Sequence, residues 1–239
     1  MSNKSMYYSA TGTGYISTPS FAIPNTGVLT VNAWMNSKLS VTSTQSIVGE
    51  DAWSGTIGFI RMLRVSNTNG LRYYYADGTA PVSVDFSSIF LSFDDQWIYI
   101  TVVCDYANKT IKSYRNGVQF DETKALAGDP VFPSASRIKF IGAHNSLAGR
   151  ITDGSLDEVR IYNRGLSPTE VLEHYNGIFK DESNLQLYYN FNEDSGTTVL
   201  DGSGNGRNGT MYGSTSREEF PIQIRGSISN VQGVESITG

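Results

Sequence analysis

The sequence predicts an all-β protein: two packed antiparallel sheets carrying one short helix. Three observations carry this expectation. Strand-like runs recur every 8 to 15 residues, with turn signals between them. The composition, with 14 Tyr, 11 Phe, 3 Trp and 24 Gly among 239 residues, favours pleated surfaces and tight turns over helices. A single segment carries both a helix start and a helix stop signal.

The elements follow in order. Tyr15 to Thr18 is a short first strand. "LTVNAWM" is stronger: Leu29, Val31, Ala33 and Met35 share one face, and Thr30, Asn32, Trp34 and Asn36 the other. Strands over Ser46 to Gly49 and Thr56 to Val65 come next. "NTNG" (67–70) then turns the chain into "LRYYYAD". In "QWIYITVVCDY", Trp97, Tyr99, Thr101 and Val103 alternate with Ile98, Ile100, Val102 and Cys104. A strand apolar on both faces belongs inside the sandwich. "RNG" (115–117) marks a second hairpin, and "RIKFIGAHN" and "SLDEVRIYN" read as further strands. The helix opens with Ser167 as N-cap, Pro168 in its first turn and Glu170 completing a capping box, with Leu166 and Val171 as a staple. Gly177 is placed to end it in a left-handed conformation. "LQLYYNFNE" is a late strand and "DGSGNGRNG" a tight loop. Residues 1–213 are therefore expected to form the sandwich, and 214–239 an extended tail.

Composition also excludes classes of function. The net charge is −5 without any basic block, so nucleic acid is not an expected partner. No run of 18 apolar residues exists to span a membrane, and no apolar signal segment follows Met1. Synthesis in a cytoplasm without a secretion signal is the resulting expectation. The lone Cys104 forms no internal disulfide and reads as a buried strand thiol.

Catalytic constellations are thin. Asp157 and Glu158 are adjacent in a strand, so alternation is expected to send them to opposite faces. Glycoside hydrolysis needs two carboxyls on one surface. No E-x-D-x-E, H-E-x-x-H, C-x-x-C or glycine-rich phosphate loop occurs, and His144 and His174 build no triad. The expectation is therefore no catalytic residue and no enzyme activity.

Several motifs agree on a resemblance. "GSLDEVRIYNRGLSPTEVLEHYN" resembles the closing strand and helix of laminin-G-like, concanavalin A-like jelly rolls, and "LQLYYNFNEDSGTTVLDGSGNGRNGTMYG" resembles their opening strand and loop. "LTVNAWM" and "WIYITVVCDYANKTIKSYRNGVQ" are similar to the family's second strand and to a later hairpin. Here the opening motif follows the closing one. The 53 residues from Leu187 to Gly239 are too few for a second sandwich, so the resemblance implies a circular permutation. "LQLYYNF" should return and pair with "SLDEVRIY".

Candidate ligand contacts follow from the loops and aromatics. In "GEDAWSG", Trp53 lies among Glu50 and Asp51, a grouping suited to sugar stacking or to packing on the sandwich edge. Tyr73 and Tyr75 share one strand face, and His144 could line a rim. Calcium-binding relatives suggest Ca²⁺ on Asp201 and Asn205, with Asp157 as a further ligand; Asx-turns explain the loop residues equally well. Two settings follow from this reading. One is a structural and adhesion module on a virion, of capsid-decoration or fibre type, docked on a larger assembly and open to glycan binding or homo-oligomeric display. The other is a carbohydrate-binding lectin module of a cellular protein recognising cell-surface glycans.

Overall fold

The computed structural model describes residues 4–9, 13–37, 43–50, 55–66, 68–90, 95–144 and 152–219. The strands among them are β1 (Lys4–Tyr8), β2 (Tyr15–Ser17), β3 (Val28–Ser37), β4 (Gln45–Glu50), β5 (Arg61–Val65), β6 (Gly70–Ala76), β7 (Pro81–Phe86) and β8 (Gln96–Asp105). They continue with β9 (Thr110–Arg115), β10 (Val118–Ala125), β11 (Lys139–Ile141) and β12 (Gly154–Tyr162). After the helix α1 (Pro168–Tyr175) come β13 (Leu185–Tyr189), β14 (Thr198–Val199), β15 (Gly209–Tyr212) and β16 (Thr215–Glu219).

Two eight-stranded antiparallel sheets result, and the predicted sandwich with one short helix is what the chain forms. The first runs β10-β9-β8-β3-β12-β1-β16, with β13 also on β12; the second runs β14-β15-β2-β11-β4-β5-β6-β7. Alternation sorts side chains as expected. Leu29, Val31, Ala33 and Met35 of β3 and Ile98, Ile100, Val102 and Cys104 of β8 face the second sheet across one continuous core. Cys104 is a free, buried thiol whose pKa burial raises.

β8 is apolar on both faces because both are covered. Its outer residue Val103 packs with Tyr114, Tyr162, Leu166 and Val171, and Tyr99 packs with Trp34. The cover is α1, and the sequence signals that delimit it act as read. Ser167 Oγ accepts from the Glu170 amide while the Glu170 carboxylate accepts from the Ser167 amide. At the other end Gly177 has φ +73°, and the amides of Gly177 and Ile178 bond back to His174 and Glu173 in a Schellman arrangement.

The expected return of the late strand is borne out. β13 pairs antiparallel with β12, Ile161 opposite Leu187, so the late strand closes the same domain. The tail begins later than expected. β16 pairs with β1 over five residues, which carries the sandwich to Glu219, and 220–239 lie outside the described residues. Two strands are shorter than read from sequence: β5 starts at Arg61 and β11 ends at Ile141.

Candidate functional site

On its outer face the first sheet is covered by α1 only in part. Where the cover stops, one cross-strand row lies open. Trp97 of β8 stands opposite Asn36 of β3, Asn36 opposite Ser155 of β12, and Ser155 opposite Tyr7 of β1. Directly opposed residues in antiparallel strands have close Cβ atoms, so this register alone assembles a continuous strip. Trp97 and Tyr7 end it, about 14 Å apart by three strand spacings, with the polar Asn36 and Ser155 between them.

The strip is the floor of a recess of about 370 Å³, lined also by Ser5, Asp95, Asp153 and Gly154, with Glu218 and Glu219 at the β16 edge. Gly154 is required where β12 begins. It has φ +144°, and a Cβ there would stand 2.1 Å from the Asn36 carbonyl oxygen. Trp97 packs against the aromatic group of Trp34, Tyr99 and Tyr175. The Trp34 and Tyr99 rings lie 5.3 Å apart, and those of Trp34 and Tyr175 lie 5.5 Å apart. An aromatic end wall, an amide and hydroxyl floor and carboxylate sides form a surface that can stack on an apolar ring face while accepting hydrogen bonds from hydroxyls.

The residues singled out from sequence lie elsewhere. Trp53 and Asp51 fall outside the described residues. Glu50 is not a ligand contact: it is fully buried inside the sandwich and paired with Lys139 at 3.1 Å. Tyr73 and Tyr75 do not line an outer surface. Both point into the core, where the Tyr73 and Tyr106 hydroxyls meet at 2.9 Å and the Tyr75 hydroxyl accepts from the Ala127 amide at 2.6 Å. Alternation placed the two tyrosines together correctly, but not on which side. His144 follows β11 on the second sheet, where its backbone leaves no room for a Cβ at Gly49; it does not line the recess.

The calcium candidates are not a cation cage. Asp201 Oδ1 accepts from the amides of Tyr188 and Ser203, and Oδ2 from that of Arg207 at 2.9 Å. The Asn205 amide donates to the Leu185 carbonyl at 2.9 Å. These are the interactions of an Asx-built turn, and a cation would have to displace them. Asp157 lies apart from that turn, on β12. Among the described residues no three His, Cys, Asp or Glu side chains converge as a metal site. The donor set does not fit the expected Ca²⁺.

One expectation about the acids is overturned. Asp157 and Glu158 do not face apart. A bulge between Asp157 and Arg160 adds a residue against β3, and Glu158 takes φ +52° there. Leu156, Val159 and Ile161 therefore face the core, while Asp157, Arg160 and Tyr162 stand opposite Trp34, Asn32 and Thr30 on the outer face. Glu158 joins them, bonded to Arg160 at 2.6 Å and to the Tyr188 hydroxyl at 2.9 Å. The cause is visible in the pairing. On one edge β12 changes partner from β1 to β13 at this point.

The convergence builds no open cleft. Asp157 is 0% exposed and Glu158 4% exposed. Asp157 Oδ1 accepts from the Glu158 amide at 2.7 Å, and burial, then the Glu158 charge, holds its carboxyl well above the usual range.

Beside this group His174 is pushed down to about 4, first by burial and then by Arg160 and Arg164. Its ring packs on Phe179 and Tyr162, 4.9 and 5.6 Å away. A histidine kept neutral in the fold contributes stability above its unfolded pKa that is lost as pH falls. We expect wild type to lose about 1–3 kcal/mol relative to His174→Gln between pH 6.5 and pH 4, read from urea unfolding of both proteins. Equal pH slopes would contradict a neutral, buried His174.

The comparisons agree with the architecture. Residues 10–172 match the model of the Concanavalin A-like lectin/glucanases superfamily, Laminin_G_3. The chain belongs to this family. The match ends inside α1, so β13 to β16 lie beyond it.

Among solved structures, the chain is similar to a Bacteroides ovatus protein provisionally described as carbohydrate binding, at 17% identity and TM-score 0.64. The alignment covers 92% of this chain and 61% of that one, so the chain spans about three fifths of that protein. The heptameric SAP-like pentraxin of Limulus polyphemus aligns at 13% identity and TM-score 0.60, covering 91% of this chain and 95% of its own. The CBM40 of Ruminococcus gnavus IT-sialidase, solved bound to α2,3-sialyllactose, aligns at 12% identity and TM-score 0.53, covering 73% and 98%. At these identities the likeness is one of fold. No curated protein matches the sequence.

Trp97, Tyr7 and Asn36 are not legible as site residues in the sequence. Alternation put Trp97 on the face opposite Ile98, which is correct. The signal that was lacking is register: nothing local shows that Trp97, Asn36, Ser155 and Tyr7 share one row.

Proposed function

We propose that the protein is a non-catalytic carbohydrate-binding module whose binding site is the recess between Trp97 and Tyr7. The observation that carries this reading is the cross-strand row of Trp97, Asn36, Ser155 and Tyr7 left open beside the helix. A pyranose presents an apolar C–H face to an aromatic ring and hydroxyls to an amide and carboxylates, and the recess offers both at once. Membership of a lectin and glucanase superfamily supports binding of glycans without deciding between binding and hydrolysis.

Hydrolysis is the weaker reading because a general acid needs a carboxyl held protonated where substrate reaches it. Among the described residues the two carboxyls raised above the ordinary range, Glu50 and Asp157, are both buried. Binding is proposed to need no calcium, since the Asp201 carboxylate is taken up by backbone amides. A virion setting, with the module displayed on a capsid or fibre, rests on fold-level analogy alone; its test is detection of the chain in purified particles.

The test is a glycan array followed by titration of the best ligand, with and without chelator. Trp97→Ala should weaken binding at least about tenfold, with Trp97→Phe retaining most of it and chelator leaving it unchanged. The control is Tyr212→Ala. Tyr212 is 45% exposed and stacks on Tyr15 at 4.9 Å on the opposite sheet. Loss of binding in the Tyr212 variant but not in the Trp97 variants would move the site to that face and refute this assignment.

A further inference from the structure

The charge of the recess goes further than its shape. Among the described residues that line it are four acids, Asp95, Asp153, Glu218 and Glu219, and no lysine or arginine. The cations of β1 and β16 are engaged elsewhere. Lys4 of β1 pairs with Asp194 at 3.0 Å and donates to the Glu193 carbonyl. Arg217 of β16 pairs with Glu193 at 3.0 Å and donates to the carbonyls of Gly196 and Thr198. Both are tied to residues 193–198. Ser5, 1% exposed, also lines the recess.

We propose that the recess discriminates glycans by charge, rejecting acidic sugars and gaining affinity from a free, cationic amino group. This rests on the glycan-binding reading and names its ligand class. Acids of one sign around a concavity focus a negative potential over its mouth. A uronate or sialate carboxylate placed between Trp97 and Tyr7 would be repelled from both sides. Neutral hydroxyls donate to the same carboxylates without penalty. An ammonium group donates charge-assisted hydrogen bonds to them, which are shorter and stronger than neutral ones. N-acetylation removes that charge while keeping the ring face that stacks on Trp97. Amino sugars and their N-acetyl forms therefore separate the charge contribution from the stacking contribution.

The experiment titrates the full chain with oligomers of glucosamine, N-acetylglucosamine and galacturonate of equal length, and with α2,3-sialyllactose. The expected order is glucosamine, then N-acetylglucosamine at about tenfold weaker affinity, with no binding of the two acidic ligands. The gap between the first two should shrink at about 0.5 M salt and close in Glu218→Gln/Asp153→Asn. Binding that is Trp97-dependent but indifferent to charge, or strongest for an acidic ligand, overturns the discrimination and leaves the glycan reading standing. Failure of every glycan overturns both. Oligolysine binding as tightly as glucosamine oligomer, unaffected by Trp97→Ala, would reduce the recess to an unspecific acidic patch and also overturn the proposal.

Discussion

Replacing Arg160 by methionine should destabilise the protein by about 3–5 kcal/mol, the cost of leaving a buried partner charge uncompensated. Arg160 is 1% exposed, and its guanidinium lies between two rings, 3.8 Å from Phe179 and 3.7 Å from Tyr188. Its Nη1 donates to Glu158 at 2.6 Å, and Glu158 is itself buried, 4% exposed. Methionine fills much of the volume but removes the donor and the charge, so Glu158 keeps only the Tyr188 hydroxyl. Lysine restores charge without the planar fork that stacks between the rings, so Arg160→Lys should recover only part of the loss. The double variant Glu158→Gln/Arg160→Met removes both charges and should be more stable than Arg160→Met alone. Urea unfolding of the four proteins decides it. A single variant within about 1 kcal/mol of wild type would show that the bulge does not depend on this pair.

That bulge marks the boundary of what local sequence can say. Alternation placed the core faces of β3 and β8 residue by residue, the cap signals placed both ends of α1, and "RNG" placed the β9–β10 turn, where Asn116 and Gly117 take φ +51° and +82°. These are decided within a few residues. The parity of β12 after Leu156 is not, because it depends on which strand lies beside it. The change from β1 to β13 at Asp157–Val159 is a long-range event, and it turns two acids expected to diverge into neighbours. The candidate site was illegible for the same reason. Trp97, Asn36, Ser155 and Tyr7 lie far apart in the chain and meet only through three strand registers. Glu50, Tyr73 and Tyr75 were misplaced differently. A tyrosine or a glutamate reads as a surface group, yet a large sandwich can bury either when a partner meets its polar atom.

The converged acids also bear on function. Two neighbouring carboxyls would suggest hydrolysis if a substrate could reach them. They instead sit under α1 with Arg160, and the open surface lies one cross-strand row beyond, at Ser155 and Asn36. The chain thus separates its buried charged network from its half-buried aromatic strip. Binding at the strip and stability at the network should respond to different substitutions, with Trp97 variants altering affinity and Arg160 variants altering unfolding.

The other buried pair gives a prediction whose pH dependence identifies its cause. Lys139 is fully buried at one end of the sandwich, 3.1 Å from Glu50 and 4.2 Å over the Phe21 ring, and donates to the carbonyls of Phe21 and Arg137. Burial pushes Glu50 up and Lys139 down, and each opposes the shift in the other. Lys139→Met removes the cation and should cost about 3–5 kcal/mol at pH 7. With its counter-charge gone, the folded pKa of Glu50 rises further above its unfolded value. A carboxyl raised in this way contributes stability that is present below the unfolded pKa and lost as pH rises towards the folded one. Lys139→Met should therefore recover more stability than wild type as pH falls from 8 to about 5. Glu50→Leu/Lys139→Met, with neither charge, should lie close to wild type and show no such recovery. If the single variant is equally unstable at both pH values, lost packing against Phe21 and the two carbonyls is the cause, and the ion pair is not what holds this end of the sandwich together.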